Sequence, residues 1–351
     1  MSAIKLASLT KRFGEVTAVD RLDLEIPEGE LVALLGPSGC GKTTTLRMIA
    51  GFEEPTEGSI RIGDQEVTRL PPERRDCGMV FQNYALFPHL SVQENVAFGL
   101  EMRGIRKPEI RRRTAEIIEK VGLKGMHERH PRQLSGGQQQ RTALARALVI
   151  NPAVLLLDEP LANLDAKLRE EMRFYIRALQ REFRITTVYV THDQAEAMVL
   201  ADRIAVMMDG KLRQLAGAED LYRRPATAEV ADFVGLTNLL PGTVARRHGD
   251  EVTLETSVGL LKGHGGDLLQ PGTEGWLSIR PEDLELGARD RQNHISGRVT
   301  AWAFLGNIAD YRIETAEGLV LRVQAQPGAK PREGDQVTVS YPTRAGWAIP
   351  R

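Results

Sequence analysis

The stretch LVALLGPSGCGKTTTLRMIAG, residues 31–51, decides the fold. Its first five residues are apolar without alternation, the pattern of a strand buried on both faces. They run into the glycine-rich GPSGCGKT, residues 36–43, and then into the helix-like TTTLRMIAG. A buried strand, a glycine-rich turn and a helix in that order let backbone N–H groups point at phosphate oxygens. Gly36, Gly39 and Gly41 give the turn its freedom, and Ser38, Cys40 and Thr44 belong to the same nucleotide-binding set. Lys42 can reach the β- and γ-phosphates, and Thr43 offers a hydroxyl to Mg²⁺. Nucleotide binding follows, but this loop alone does not separate a kinase, a GTPase and an ATP-driven motor.

Further along, AVLLL ends at Asp158 and TTVYV ends at Thr191, with the helix-like REEMRFYIRALQREF between them. Unalternating apolar runs separated by helices predict a parallel sheet covered on both faces. Ligands of such sheets sit at the carboxyl ends of the strands, so Gly36, Asp158 and His192 are expected to share one crevice. There Asp158 can hold Mg²⁺ and Glu159 can polarise a water for attack on the γ-phosphate. Gln82, which ends the strand-like GMVF, offers its amide to Mg²⁺ or to that water. His192 can hydrogen-bond the γ-phosphate. Phe13, in TKRFGEVTAV, reads equally as core packing and as an adenine-stacking ring.

QLSGGQQQRTALARAL, from Gln133, reads as a second anion site. Ser135 can cap the helix that follows, and the N–H groups of Gly136, Gly137 and Gln138 are expected to be free at its positive end. If that helix lies on a separate lobe, it closes over the phosphate loop of a second copy and not over its own.

The chain has 351 residues, 42% apolar and 26% charged, enough for two domains with sizeable cores. Its net charge of −1 provides no general attraction to nucleic acid or to an anionic membrane. Two cysteines cannot make a disulfide framework and fit a reducing cytoplasm. The opening MSAIKLASLTKRFG lacks the pattern of a secretory signal, and no apolar run approaches the length of a spanning helix. The basic RGIRKPEIRRR is read as a solvated helix face. Beyond residue 235 short alternating segments such as EVTLE, ISGRVTAWAFLG and DQVTVSY predict a small β-barrel or sandwich. The expected division is residues 1–235, with a helical subdomain at about 86–150, and an all-β domain at 236–351.

Phe13, GPSGCGKT, Gln82, LSGGQ at 134–138, VLLLDEP and His192, in this order and spacing, resemble the nucleotide-binding subunits of ABC transporters. The resemblance covers about residues 4–235. It implies an α/β P-loop NTPase fold: a mostly parallel sheet core plus a helical subdomain, followed by an all-β, OB-like (TOBE) domain, which the chain resembles at RPEDLEL and AFLGN. It is similar to the importer subset for spermidine/putrescine, iron(III) and related solutes, and also to maltose-type sugar importers. The resemblance further implies ATP and Mg²⁺ as ligands, Glu159 as catalytic base, and His192 as a γ-phosphate switch. A homodimer follows, with Ser135, Gly136, Gly137, Gln138 and Asp165 acting on the partner's nucleotide. Permease subunits would dock near Gln82 to Leu90, with a solute-binding protein as indirect partner, which places the chain at the cytoplasmic face of the inner membrane. Many relatives have Ser where this chain has Ala162. A non-transport ABC ATPase acting on nucleic acid is the competing reading. From residue 236 on, however, 13 Lys plus Arg face 14 Asp plus Glu, leaving no basic surplus for a phosphate backbone.

Overall fold

The computed structural model describes residues 2–287, 292–328 and 331–351. The chain divides into two compact units, Met1–Ala218 and Glu219–Arg351.

In chain order the first unit contains β1 (Ile4–Phe13), β2 (Val16–Ile26), β3 (Leu31–Leu35), α1 (Lys42–Ala50), β4 (Glu57–Ile62), β5 (Gln65–Glu66), β6 (Cys77–Val80), α2 (Val92–Met102), α3 (Lys107–Lys120) and α4 (Gly136–Leu148). β7 (Val154–Asp158), α5 (Ala166–Phe183), β8 (Thr186–Thr191), α6 (Gln194–Leu200), β9 (Arg203–Met208) and β10 (Lys211–Ala216) complete it. The central sheet has the order β10-β9-β3-β8-β7-β6 and is parallel except for β10 at one edge. A separate antiparallel sheet runs β2-β1-β4-β5.

Two hydrophobic clusters cover the central sheet. Val154, Leu156, Val188 and Val190 pack with residues of β1, β2 and α1 such as Ile4, Leu24 and Leu46. Their neighbours Leu155, Leu157 and Tyr189 face the other way, onto Leu144 and Leu148 of α4 and Met172 and Ile176 of α5. Every residue of β3, β7 and β8 is therefore buried, and polar residues occur only at their ends: Thr186 and Thr187 where β8 starts, Asp158 and Thr191 where β7 and β8 finish.

The helices α2, α3 and α4 pack on one another as a helical arm whose core is continuous with that of α5 and the sheet face beneath α4. α2 begins with a reciprocal cap: Ser91 N donates to Glu94 Oε2 at 2.7 Å, and Glu94 N donates to Ser91 Oγ at 3.3 Å. On α3 the basic stretch is an exposed, paired face, with Arg112 bonded to Glu109 and Glu116. At the far end of α1 the buried Arg75 donates to the carbonyls of Met48, Ile49, Thr68 and Leu70.

The second unit contains most of α7 (Ala218–Arg223), then α8 (Ala228–Val234), β11 (Asn238–His248), β12 (Glu251–Thr256), β13 (Gly259–Gly265), β14 (Glu274–Ile279), β15 (Glu285–Leu286), β16 (Asn293–Phe304), β17 (Ala309–Glu314), β18 (Val320–Ala325), β19 (Gln336–Tyr341) and β20 (Gly346–Pro350). β11-β12-β13-β20-β14 close into a barrel, and β15-β19-β16-β17-β18 form a five-stranded sheet. One cluster unites them, with Leu240, Val252 and Leu277 from the barrel and Val299, Ile313 and Val323 from the sheet. The alternation in the sequence is visible along β16, whose first seven residues are buried and exposed in turn. Composition changes near residue 236, where the strands begin. Residues 219–235 also lie in this unit, where Arg280 donates to the carbonyls of Tyr222, Ala231, Gly235 and Leu236.

Candidate functional site

The phosphate loop leaves the carboxyl end of β3 and enters α1. Gly39 and Gly41 have φ of +81° and +98°, the left-handed conformation that side chains rarely adopt. Gly36 is glycine for a different reason: a Cβ there would lie 2.1 Å from Met207 O and 2.6 Å from Cys40 Sγ. Packing against β9 therefore fixes Gly36, and backbone freedom does not. Pro37, Ser38 and Gly39 are exposed at the tip. Lys42, buried, donates from Nζ to Gly36 O at 2.7 Å and Pro37 O at 2.8 Å. Cys40 is buried beneath the loop, and burial pushes its thiol pKa up against the pull of the Lys42 ammonium. Thr43 and Thr44 stand half-buried on the first turn of α1. Phe13 ends β1, is 48% exposed and has Lys11 Nζ 4.8 Å from its ring centroid, so it is no core residue.

Asp158 ends β7 beside the loop, with Thr43 Oγ1 donating to its Oδ1 at 3.4 Å. Burial, aided by the charge of Glu159, raises its pKa, while the Thr43 bond opposes the shift. Glu159 takes a φ of +43°, strained for a residue with a Cβ, and its N–H donates to Val190 O of β8. That turn holds its carboxylate between two partners: Gln82 Nε2 donates to Oε2 at 3.4 Å, and His192 Nδ1 lies 3.2 Å from Oε1. Gln82, Asp158, Glu159 and His192, from the ends of three parallel strands, thus gather at one edge, as the strand-end argument requires.

Sequence reasoning missed the scaffold behind His192. Asp193 caps α6, accepting from Glu196 N at 3.0 Å, and pairs with Arg173 of α5 at 3.0 Å. Buried Glu196 accepts from Tyr189 Oη and Thr191 Oγ1, each at 2.8 Å, and burial raises its pKa. The signal was present as Asp-x-x-Glu, a capping pattern directly after the histidine. Asn163, also missed, donates from Nδ2 to Gln82 O at 2.8 Å.

Ser135 caps α4 as expected, but the box corrects one detail. Gln138 N donates to Ser135 Oγ at 3.4 Å and Gln138 Oε1 accepts from Ser135 N at 3.0 Å, so the Gln138 N–H is engaged in the cap, not free. Gly136 and Gly137 also have a packing role: a Cβ on either would press within 3.0–3.1 Å of Leu164 or Leu168. Asp165 is the N-cap of α5, accepting from Leu168 N at 3.0 Å. Ala162, with Glu159, His192 and Glu196, lines a cleft of about 70 Å³.

A glycine-rich loop between β3 and α1, next to acidic residues at the end of a parallel strand, defines a phosphate-loop nucleoside triphosphatase. The ABC transporter family profile matches residues 19–162, and the TOBE domain profile matches 277–349. The chain is 48% identical over 348 residues to the spermidine/putrescine import ATP-binding protein PotA of Rubrobacter xylanophilus, covering 97% of this chain and 92% of that relative. It is 45% identical over 342 residues to the Fe(3+) ions import ATP-binding protein FbpC of Agrobacterium fabrum, covering 97% and 96%. Among solved structures, the dimeric ATP-binding cassette MJ0796 in a post-hydrolysis state bound to ADP and Pi matches with a TM-score of 0.55 and 36% identity. The match covers 61% of this chain and 98% of that one. This chain belongs to the ABC transporter family as an ATP-binding subunit, an ATPase coupled to transport, with a C-terminal TOBE domain.

Proposed function

We propose that two copies of this chain close head to tail on two ATP molecules and thereby drive import of a small solute through permease subunits. The observation that carries the hydrolytic part of this reading is the Glu159 carboxylate, oriented between Gln82 and His192 beside the Thr43–Asp158 pair. Lys42 and the N–H groups of the loop bind the β- and γ-phosphates, and Phe13 stacks on adenine. Ser38, Gly39, Cys40, Gly41 and Thr44 complete the nucleotide site. Glu159 takes a proton from the attacking water, which Gln82 helps to orient, and His192 contacts the γ-phosphate. The oxygens of Thr43 and Asp158, with Gln82, fit Mg²⁺, which binds few protein oxygens and completes its shell with phosphate and water. That ion, when bound, offsets charge on the transferring phosphoryl group. Across the seam, Ser135, Gly136, Gly137, Gln138 and Asp165 face the partner's nucleotide.

Relatives named for spermidine/putrescine and Fe(3+) import support a polyamine, iron(III) or related solute over a maltose-type sugar. The permease docks at residues 82–90 and holds the chain at the cytoplasmic face of the inner membrane, with a solute-binding protein on the other side. Nucleic acid is not a partner. Glu159→Gln is expected to slow hydrolysis by about 10²–10⁴-fold while ATP affinity is kept. It also removes a negative charge from the closed seam, so the variant dimerises with ATP. A Glu159→Gln chain that stays monomeric at saturating ATP, alone and with its permease, would sink the head-to-tail reading. Reconstitution with the permease and binding protein, scoring which solute raises ATP turnover, tests the solute class.

A further inference from the structure

Residues 82–90 join the strand sheet to the helical arm, and they are tied to both. On the sheet side Gln82 bonds Glu159 through its side chain, and Asn163 holds its carbonyl. On the arm side the buried Asn95 of α2 accepts from Phe87 N at 2.9 Å and donates to the carbonyls of Phe87, Leu90 and Ser91 at 3.0–3.1 Å. Between the two anchors lie Tyr84 and Ala85, both left-handed at φ +62° and +45°. Two consecutive side-chain-bearing residues in that region cost on the order of 1–3 kcal/mol each. Something must hold them there.

Arg146, on the last turn of α4, does so. Its guanidinium donates from one terminal nitrogen to Ala85 O at 2.7 Å and from the other to Tyr84 O at 2.8 Å. It also lies 5.5 Å from the centroid of the Phe87 ring. No carboxylate pairs with it among the described residues: the contacts are backbone carbonyls and a ring face. The same helix carries Ser135 and Gln138 at its other end. Eleven steps of about 1.5 Å each put roughly 16 Å of helix between Ser135 and the Arg146 latch, too short to bend appreciably.

We infer that Arg146 is a positioning residue, which transmits the placement of the Ser135 end of α4 to the loop at residues 84–87. When that end engages a nucleotide, the guanidinium carries both strained carbonyls with the helix. A bidentate fork is needed for this, because a lysine ammonium is a single point charge on a flexible stem. The inference rests on the head-to-tail reading for what α4 engages, and on the geometry alone for what Arg146 holds.

The two parts are tested separately by hydrogen exchange on the full chain, followed by mass spectrometry of peptides covering 83–90. Without nucleotide, Arg146→Ala and Arg146→Lys are both expected to speed exchange in this segment about tenfold or more, with β7 and α1 unchanged as a control for folding. In the Glu159→Gln background, ATP with Mg²⁺ is expected to alter exchange at 83–90, and Arg146→Lys to abolish that response while ATP-induced dimerisation, read by light scattering, persists. Basal ATP hydrolysis of Arg146→Lys in the otherwise native chain stays within about twofold. Exchange at 83–90 that is unaltered in both variants overturns the latch. An ATP response preserved in Arg146→Lys overturns the transmission. Failure of Glu159→Gln to dimerise overturns the head-to-tail reading and the transmission built on it, whereas the nucleotide-free comparison still judges the latch.

Discussion

At residue scale the reciprocal caps of α2 and α4 differ in one atom of consequence. α2 closes its box with the carboxylate of Glu94, and α4 closes the same box with the neutral amide of Gln138. The bonds that Glu94 accepts from Ser91 lower its pKa, so an acid in this geometry stays ionised at neutral pH. An ionised acid strengthens an isolated helix start, yet it would repel a phosphate approaching the same end. Gln138→Glu therefore keeps the cap and the fold, but should weaken ATP-driven dimerisation of the Glu159→Gln chain at least tenfold, about 1.4 kcal/mol. The effect should shrink as salt rises. Sedimentation at two ionic strengths measures it, and an unchanged dimer affinity would mean that this terminus faces no anion. Much of this site could be read from sequence because its chemistry is local: loop, strand-end acids and Ser-x-x-Gln are each contiguous. What escaped was reciprocal or distant, namely the use of the Gln138 N–H by its own cap, the seating of Gly36 against Met207, and Asn163 reaching Gln82.

At the scale of elements, the parallel sheet was legible because both of its faces are covered, so that β3, β7 and β8 are buried throughout and show no polar–apolar alternation. The end of α1 was legible too, at Gly51, but the side chain that secures it was not. Gly51 marks the stop, and a Cβ there would meet the Arg75 guanidinium at 2.6 Å. Arg75 lies well beyond the helix in sequence, yet its guanidinium satisfies the carbonyls of Met48 and Ile49 in the last turn and, with Thr68 and Leu70, binds the following segment to it. A cation at a helix carboxyl end is favourable, and burial makes each orphaned carbonyl expensive. Arg75→Met keeps the apolar stem but leaves four carbonyls without this donor. A loss of about 3 kcal/mol or more of unfolding free energy is expected in urea titration, with ATP affinity changed far less. A loss below about 1 kcal/mol would show that water replaces the guanidinium.

At the scale of the whole molecule, Arg280 repeats that device: it is buried, 4.0 Å from the Tyr222 ring centroid, and donates to carbonyls where α7 and α8 end. Its partners all lie within 219–351, just as those of Arg75 lie within 1–218. Among the described residues, each of three hydrophobic clusters obeys the same division, drawing its members from one unit. Two separately closed cores should melt as two cooperative steps, and a ligand stabilises only the unit that binds it. In the Glu159→Gln chain, ATP at a hundred times its Kd adds about 2.7 kcal/mol to the step of the phosphate-loop unit. Arg280→Met, which strips the carbonyls of Ala231, Gly235 and Leu236, should instead lower the other step by several degrees and leave nucleotide affinity intact. Calorimetry of the full chain with each perturbation separates the cases. If one transition answers to both ATP and Arg280→Met, the units share a single unfolding step. A TOBE-side lesion would then reach the ATPase through stability alone, with no specific coupling needed.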